Sequence, residues 1–381
     1  MNAPLFSLAR LDWTIYLSWI GVVAVLLIPA AKKEVIRWTA LASAAAGLLV
    51  ACVGLFSWTA PTGTGMEALR ASFRPFEVQL PWIPSIGASY HLGADGISLP
   101  LLVLTGFVAV CGVLFSWNQE NRVKEFFAFL LLLVSGVYGV FLSLDVLLFF
   151  AFYELAIIPK YFIIAIWGST RREYAAMKLV LYSFAGSALV FAGILALWAK
   201  AGGTTFDLLA LKEVAFATDF QFFCFPLLFI GFGVRAGMWP FHTWAPTGHS
   251  AAPTAASMML AGVVMKLGAY GCLRVAMFLM PEGLTAWGGF WQWTIAILAV
   301  IGIIYGAGAA LVQKDFKFVV GYSSVSHMGF VLLGMATLNT VGLDGAVLQM
   351  FSHGIVASLL FAAVGRMVYD RTHTRDLNEL R

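Results

Sequence analysis

Residues 230–274, IGFGVRAGMWPFHTWAPTGHSAAPTAASMMLAGVVMKLGAYGCLR, decide the fold. Two apolar runs in this stretch each carry a cation near mid-run, Arg235 and Lys266, and Gly237, Pro240, Pro246 and Pro253 lie between them. Apolar runs of this kind suit membrane crossings, because about 20 helical residues traverse a hydrocarbon core. A cation at that depth costs at least ~2.5–3.5 kcal/mol, so it normally faces protein or water and marks an ion route. Gly231, Gly233, Gly237 and Pro240 weaken the helical ladder around Arg235. A broken helix is tolerated at membrane depth where its backbone lines a cavity, and in transporters such breaks mark the ion site. The structural alternative is a plain proline kink with Arg235 held by backbone carbonyls.

The rest of the 381-residue chain reads the same way. It is 61% hydrophobic and 11% charged, where a water-soluble domain is about a quarter charged. Spans are expected to begin near Trp13, Trp38, Gly96, Phe126, Val146, Met177, Phe222, Ala252, Trp291, Phe316 and Gly345. They make an all-α, polytopic membrane bundle of about eleven helices with the seventh broken. The run at Trp13 lacks a basic leader and reads as the first span, not a cleaved signal. Between the second and third spans, a segment containing Pro61, Pro75, Pro81 and Pro84 is too polar and too interrupted to cross. Residues 206–216 alternate leucines with Asp207, Lys212 and Glu213, which suits a short amphipathic helix on the surface.

Basic residues near span ends set the orientation. Lys32, Lys33, Arg37, Arg122, Lys124, Arg171, Arg172, Lys178, Lys314, Lys317, Arg366, Arg371, Arg375 and Arg381 fall on one side when the spans alternate. Arg10, Arg70, Arg74, Lys200 and Lys212 fall on the other. The first side is therefore expected to be cytoplasmic, with the N-terminus external and residue 381 inside.

Glu154, Arg235, Lys266, His327 and His353 each sit close to the middle of a span. Their shared depth points to a polar line parallel to the membrane plane, along which protons move. Glu154, in FFAFYELAIIP, otherwise makes a static ion pair; Lys266 is otherwise a permanently charged partner of Glu154. A desolvated lysine exchanges protons far more readily than one in water. The histidines are neutral relays or, equally, hydrogen-bonded contacts between helices. Lys160 either extends the line or snorkels to the surface, and Arg274, near a span end, is expected to snorkel. His242 and His249 flank the end of the seventh span, and His242 is placed to guard a way in; Asp145 reads as a boundary residue. Cys52, Cys111, Cys224 and Cys272 are too dispersed for a zinc or iron–sulfur site, and nucleotide-binding motifs are absent.

The stretch FFAFYELAIIPKYFIIAIWG (residues 149–168), the run from Pro240 to Arg274, GYSSVSHMGFVLLG and the closing THTRDL resemble the antiporter-like subunits of NADH–quinone oxidoreductase, respiratory complex I, and within them the chain M (subunit 4) branch. The resemblance implies fourteen helices with two inverted five-helix repeats. Residues 1–125 would then hold helices 1–3 and the long loop, residues 126–280 the first antiporter-like unit (helices 4–8), and residues 281–381 an incomplete second unit (helices 9–11). It also implies that Glu154 and Lys266 take the places of the glutamate and central lysine of the proton path. Arg235 stands where the family usually has lysine, and the chain stops short of the family's length, which suggests a truncated piece. An arginine is effectively never deprotonated, so Arg235 is expected to act as a fixed charge and Lys266 as the proton carrier.

The function so implied is a proton-translocating subunit of this oxidoreductase in a bacterial inner membrane. The chain itself would hold no redox cofactor; NAD, FMN, iron–sulfur clusters and quinone would reside in partner subunits. Sibling antiporter-like chains, other membrane subunits, lipid and protons are the expected partners, and nucleic acid is not. The alternatives are a multisubunit sodium–proton antiporter and a related membrane hydrogenase complex.

Overall fold

The computed structural model describes residues 10–169 and 171–380. The N-terminal methionine and Arg381, whose sides of the membrane the basic residues suggest, lie outside them. Among the described residues, ten helices are long and apolar enough to cross a membrane, and a shorter apolar helix, α1 (Trp13–Leu27), precedes them. The eleven correspond one for one to the expected spans, and the chain is a multi-pass membrane protein.

By compactness the chain divides into two units. The first comprises residues 1–159 and 197–215. It contains α1, α2 (Lys33–Ser57), α3 (Gly65–Phe73), α4 (Ser98–Phe115), α5 (Val123–Leu142) and α6 (Val146–Leu155). Asp145, read from sequence as a boundary residue, caps α6: one carboxylate oxygen accepts from the amides of Leu147 and Leu148 at 2.9 and 3.0 Å. Its other oxygen accepts from the Ser89 amide at 2.8 Å. Capping of this kind is typically worth about 1 kcal/mol. Glu154 lies in the last turn of α6, and Ala156 separates α6 from α7 (Ile157–Trp167), which straddles the division between the units.

The proline-rich loop between α2 and α4 is ordered and contains a β-hairpin. Strands β1 (Val78–Ile83) and β2 (Ala88–Leu92) pair antiparallel. Gly87 turns the chain at φ +71°, against the backbone of Thr204 where a Cβ would not fit. From β2, the His91 carbonyl accepts from the Leu144 amide at 2.8 Å, and the Leu144 carbonyl accepts from Leu208 at 2.7 Å. The hairpin is thereby knitted to the start of α6 and to α9 (Leu208–Glu213), the short helix expected in residues 206–216, whose Leu208, Leu209 and Leu211 are buried.

The second unit comprises residues 160–196 and 216–381. Most of α8 (Arg172–Lys200) belongs to it, with α10 (Thr218–Ala236), α11 (Trp244–Ala251), α12 (Thr254–Met277), α13 (Pro281–Leu311), α14 (Phe316–Ala336) and α15 (Thr340–Thr372). The seventh span is broken as expected: α10 stops at Gly237, which takes φ +80°, and the chain resumes helically at Trp244. Helix α13 is interrupted at Ala286–Gly289, where Trp287, Gly288 and Gly289 have positive φ. Its continuous part therefore begins close to Trp291, as the hydropathy suggests.

His91 closes the hairpin against α9. Its Nδ1 lies 2.5 Å from an Asp207 carboxylate oxygen and its Nε2 2.9 Å from Glu77. Ionised carboxylates only accept, so both contacts are complete when the ring carries a hydrogen on each nitrogen. Burial alone would lower the pKa of His91, but the bonds and charges of Asp207 and Glu77 outweigh it and hold the pKa above the ordinary value. Burial alone would raise the pKa of Asp207, but its bond to His91 and the Ala210 amide outweighs that and holds it low. The His91 contribution is then full below about pH 6.5 and is lost as pH rises through its raised pKa. The Asp207 contribution is full above about pH 3.9 and is lost as pH falls through its lowered pKa. Amide hydrogen exchange in residues 78–92, corrected for intrinsic rates, should be slowest between those limits. His91→Gln should remove the alkaline rise and speed exchange by on the order of tenfold, equivalent to about 1.4 kcal/mol; a flat profile in the unmodified protein would show that the clasp does not hold the hairpin.

Candidate functional site

Lys266 has no solvent-exposed surface. It sits on Met265–Gly271, a short α-helical stretch of α12 between two wider π-helical segments, Leu260–Val264 and Cys272–Met277. Wide turns of this kind loosen the local ladder and recur at functional sites. The side chain folds back along its own helix, where Nζ donates to the Ala261 carbonyl inside the first wide turn. Nζ also lies 2.6 Å from Nδ1 of His353, buried on α15. A protonated lysine only donates, so His353 Nδ1 accepts and a neutral ring carries its hydrogen on Nε2.

The His353 ring stacks on that of His327 from α14, with centroids 5.1 Å apart. At the edge of its ring His327 Nδ1 meets Gln349 Nε2 at 2.9 Å, and the Ser352 hydroxyl donates to Gln349 Oε1 at 3.4 Å. These residues, with Ser323 and Ser324, line a cavity of about 100 Å³. Liquid water occupies about 30 Å³ per molecule, so the space suits a few. The arrangement is a chemical series: an ammonium donor, an imidazole acceptor, a second imidazole and a small chamber in which polar side chains alternate with aliphatic ones such as Val320 and Leu360.

Arg235 is buried in the last turn of α10, beside the break. The Trp244 indole from α11 donates to the Val234 carbonyl at 2.8 Å and satisfies one group that the break leaves free. Helix α12 reaches this end because Gly268 has no side chain; a Cβ there would run into the backbone of Ala236 and Phe232. Two cation-bearing helices are thus in backbone contact at the position of the break.

The carbonyl end of α11 is covered by cations from distant sequence. Lys317 Nζ donates to Ala252 at 2.8 Å and Arg375 Nη1 to Ser250 at 2.9 Å, while the Ser169 amide takes Ala251 at 2.8 Å. Positive charge at a helix C-terminus is stabilising because it meets the unsatisfied carbonyls and the negative end of the dipole. Arg375 also pairs with Asp315 at 3.2 Å, and Asp315 caps α14 through the Lys317 amide at 2.8 Å. The THTRDL segment therefore has a structural task, tying the chain after α15 to both the C-terminal end of α11 and the start of α14.

The structure brings Lys266, His353 and His327 together and keeps Arg235 on the adjoining helix. Glu154 is half-buried in the first unit. Lys160 is buried, so it does not snorkel, and neither does Arg274. The guanidinium of Arg274 is held by Tyr270 one turn earlier, through a 3.3 Å bond to the hydroxyl and a face contact with the ring at 5.4 Å. His242 is buried against Tyr305, ring centroids 4.9 Å apart. His249 is buried against Phe361 at 5.1 Å, within the fields of Lys266 and Lys317.

Two residues of the site escaped the sequence reading. Lys317 counted as a loop cation because it follows Lys314 and Asp315, although it already begins the apolar run FKFVVGY. Gln349 was passed over as an uncharged residue; its spacing of four from His353 in QMFSH puts both on one helix face and was the available signal.

Residues 143–381 match the family described as NADH:quinone oxidoreductase/Mrp antiporter, TM. NAD(P)H-quinone oxidoreductase chain 4 3 from Picosynechococcus sp. is 39% identical over 355 residues, covering 93% of this chain and 62% of that protein. This chain thus spans less than two thirds of that relative's length. A chain of respiratory complex I from Thermus thermophilus with bound NADH has a TM-score of 0.81 at 25% identity, covering 97% of this chain and 73% of that one. A chain of the Mrp complex from Dietzia sp. shares the fold, with a TM-score of 0.81 at 19% identity over 96% of this chain and 38% of that one. A sequence match over most of the chain and a broken-helix bundle with a lysine at its centre lead to one assignment: the chain belongs to the NADH:quinone oxidoreductase/Mrp antiporter transmembrane family.

Proposed function

We propose that this chain is a proton-translocating membrane subunit of a bacterial NADH–quinone oxidoreductase, in which Lys266 carries the proton and Arg235 supplies a fixed positive charge. The observation that carries this reading is the 2.6 Å contact between Lys266 Nζ and His353 Nδ1 in a site closed to solvent. While Glu154 pairs with Arg235, the positive field at Lys266 is partly neutralised and the lysine keeps its proton. Separation of that pair, driven by quinone reduction elsewhere in the complex, leaves the arginine's charge unopposed, and Lys266 gives its proton to His353. His327 and the chamber beyond it receive the proton next; Lys160 and His242 serve the way in. Each charge moved against 100 mV requires about 2.3 kcal/mol, which quinone reduction must provide through the Glu154–Arg235 separation.

In this reading residues 126–280 form the first antiporter-like unit and residues 281–381 belong to the second, with residues 1–125 as a flanking scaffold. NAD, FMN, iron–sulfur clusters and quinone reside in partner subunits, and sibling antiporter-like chains are neighbours in the bacterial inner membrane. The N-terminus and the hairpin loop face outward and residue 381 faces the cytoplasm. Family membership supports the oxidoreductase setting, and the descriptions of the relatives support the choice of complex.

Protons pumped per electron, measured in vesicles holding the assembled complex, test the carrier. Lys266→Ala should slow proton transfer through this chain by on the order of a hundredfold, the scale of losing a general acid; undiminished pumping would refute the carrier role. Sodium-dependent pH changes without NADH would instead identify a secondary antiporter. For the fixed charge, Arg235→Lys should keep pumping, because it keeps the charge, whereas Arg235→Gln should lower it by roughly tenfold, about 1.4 kcal/mol of lost electrostatic drive. Equal pumping by the Gln variant would remove Arg235 from the mechanism.

A further inference from the structure

We propose that Gln349 is a positioning residue whose side-chain amide decides whether His327 can hold a proton. That role presupposes the relay of protons from Lys266 through His353 proposed above. Gln349 projects from α15 one turn before His353 and meets His327 Nδ1 at 2.9 Å. A carboxamide has a donor end and an acceptor end of nearly equal size, unlike a hydroxyl, an ammonium or a carboxylate. With Nε2 turned to the ring, as here, His327 Nδ1 must accept. The neutral ring then keeps its hydrogen on Nε2, and an imidazolium, with hydrogens on both nitrogens, would face an N–H group. With the amide turned over, Oε1 meets Nδ1, which must then carry a hydrogen. Nε2 becomes the basic nitrogen, and the imidazolium formed when it takes a proton is satisfied by the same orientation.

The two orientations therefore correspond to a ring closed to protons and a ring open to them. In the closed orientation the Ser352 hydroxyl donates to Oε1 at 3.4 Å, and because a hydroxyl also accepts, the same group can take Nε2–H once the amide has turned. The charged or titratable side chains acting on His327 are Lys266 from α12 and His353 from α15. Proton bookkeeping is simple: transfer from Lys266 leaves a neutral amine and makes His353 an imidazolium. Passage to His327 returns His353 to neutral; when the amide turns on a neutral His327, Nδ1 takes a hydrogen from water in the cavity as Nε2 gives one up to it, so the ring changes tautomer with no net gain or loss of protons. The cavity bounded by Ser323, Ser324, His327, Gln349, Ser352 and His353 gives the amide room to turn. A turn that lags behind His353 delays the proton, so Gln349 sets the timing of transfer without itself being protonated.

Protons pumped per electron, measured across the pH range in vesicles holding the assembled complex, distinguish this role from simple packing. Gln349→Met fills similar volume without the paired donor and acceptor, and should lower pumping by roughly tenfold at every pH, the scale of one lost hydrogen bond. Gln349→Glu accepts only when ionised but both donates and accepts when protonated, so its pumping should be low at alkaline pH and recover as pH falls. Recovery on acidification is a signature that a merely structural contact would not give, and it decides the matter even where the Met variant fails to assemble. Wild-type pumping by either variant, or a pH-independent defect in the Glu variant, would overturn the role of Gln349. Lys266→Ala measured in parallel separates the two ideas. If it pumps normally, the relay itself falls; if it stops pumping while both Gln349 variants pump normally, only the amide's role falls.

Discussion

A lysine ammonium with no access to solvent must find its hydrogen-bond partners within the protein, and the second unit is arranged around that requirement. Lys266 meets it with one carbonyl of its own helix and one imidazole nitrogen. Neither partner carries a formal negative charge. A carboxylate in the same place would make a strong, static pair; an imidazole accepts the proton and can pass it on. The wide π-helical turns on either side of Lys266 fit this solution, because they offer the Ala261 carbonyl to the side chain while the helix continues.

Breaking a helix inside a bilayer leaves backbone groups that water cannot satisfy, and the surrounding residues share that burden. The Trp244 indole takes a carbonyl at the end of α10, while Lys317, Arg375 and the Ser169 amide take those at the end of α11. The cations that cap α11 come from α14 and from the segment after α15, so the C-terminal end of the short helix that follows the break becomes a meeting point for elements remote in sequence. Gly268 acts on the other side of the same break, where lack of a side chain admits α12 to the backbone of α10. The hairpin unit solves a different problem by different means. There His91 sits between two carboxylates, and an imidazole with a hydrogen on each nitrogen clasps a loop in place.

The order of the helices and the break were legible from apolar run lengths and from Gly237 and Pro240, because a bilayer demands about 20 apolar residues per crossing and glycine and proline weaken the ladder that hydrocarbon requires. The same logic singled out Lys266, His327 and His353, since polar groups at membrane depth are rare. It was less informative at span ends. Lys317 and Arg274 look like ordinary flanking cations, and their burial depends on what faces them: the Ala252 carbonyl for one and the Tyr270 ring for the other. The β-hairpin was hidden for a related reason, because prolines that mark a loop also end strands, and β1 and β2 are held by pairing with each other, while Leu144 anchors β2 across the chain.

By itself, then, the sequence determined that the chain lies in a membrane, where it crosses, where a crossing is interrupted and which ionisable side chains fall within the apolar spans. Those properties follow from composition and local spacing, which the bilayer reads one helix at a time. Only the tertiary structure decided that His353 is the direct partner of Lys266, that Gln349 stands against His327, and that Lys317 and Arg375 close the end of α11. Those contacts join residues tens of positions apart, and a contact within hydrogen-bond reach depends on how helices rotate and lean against one another, which no spacing along a single helix encodes.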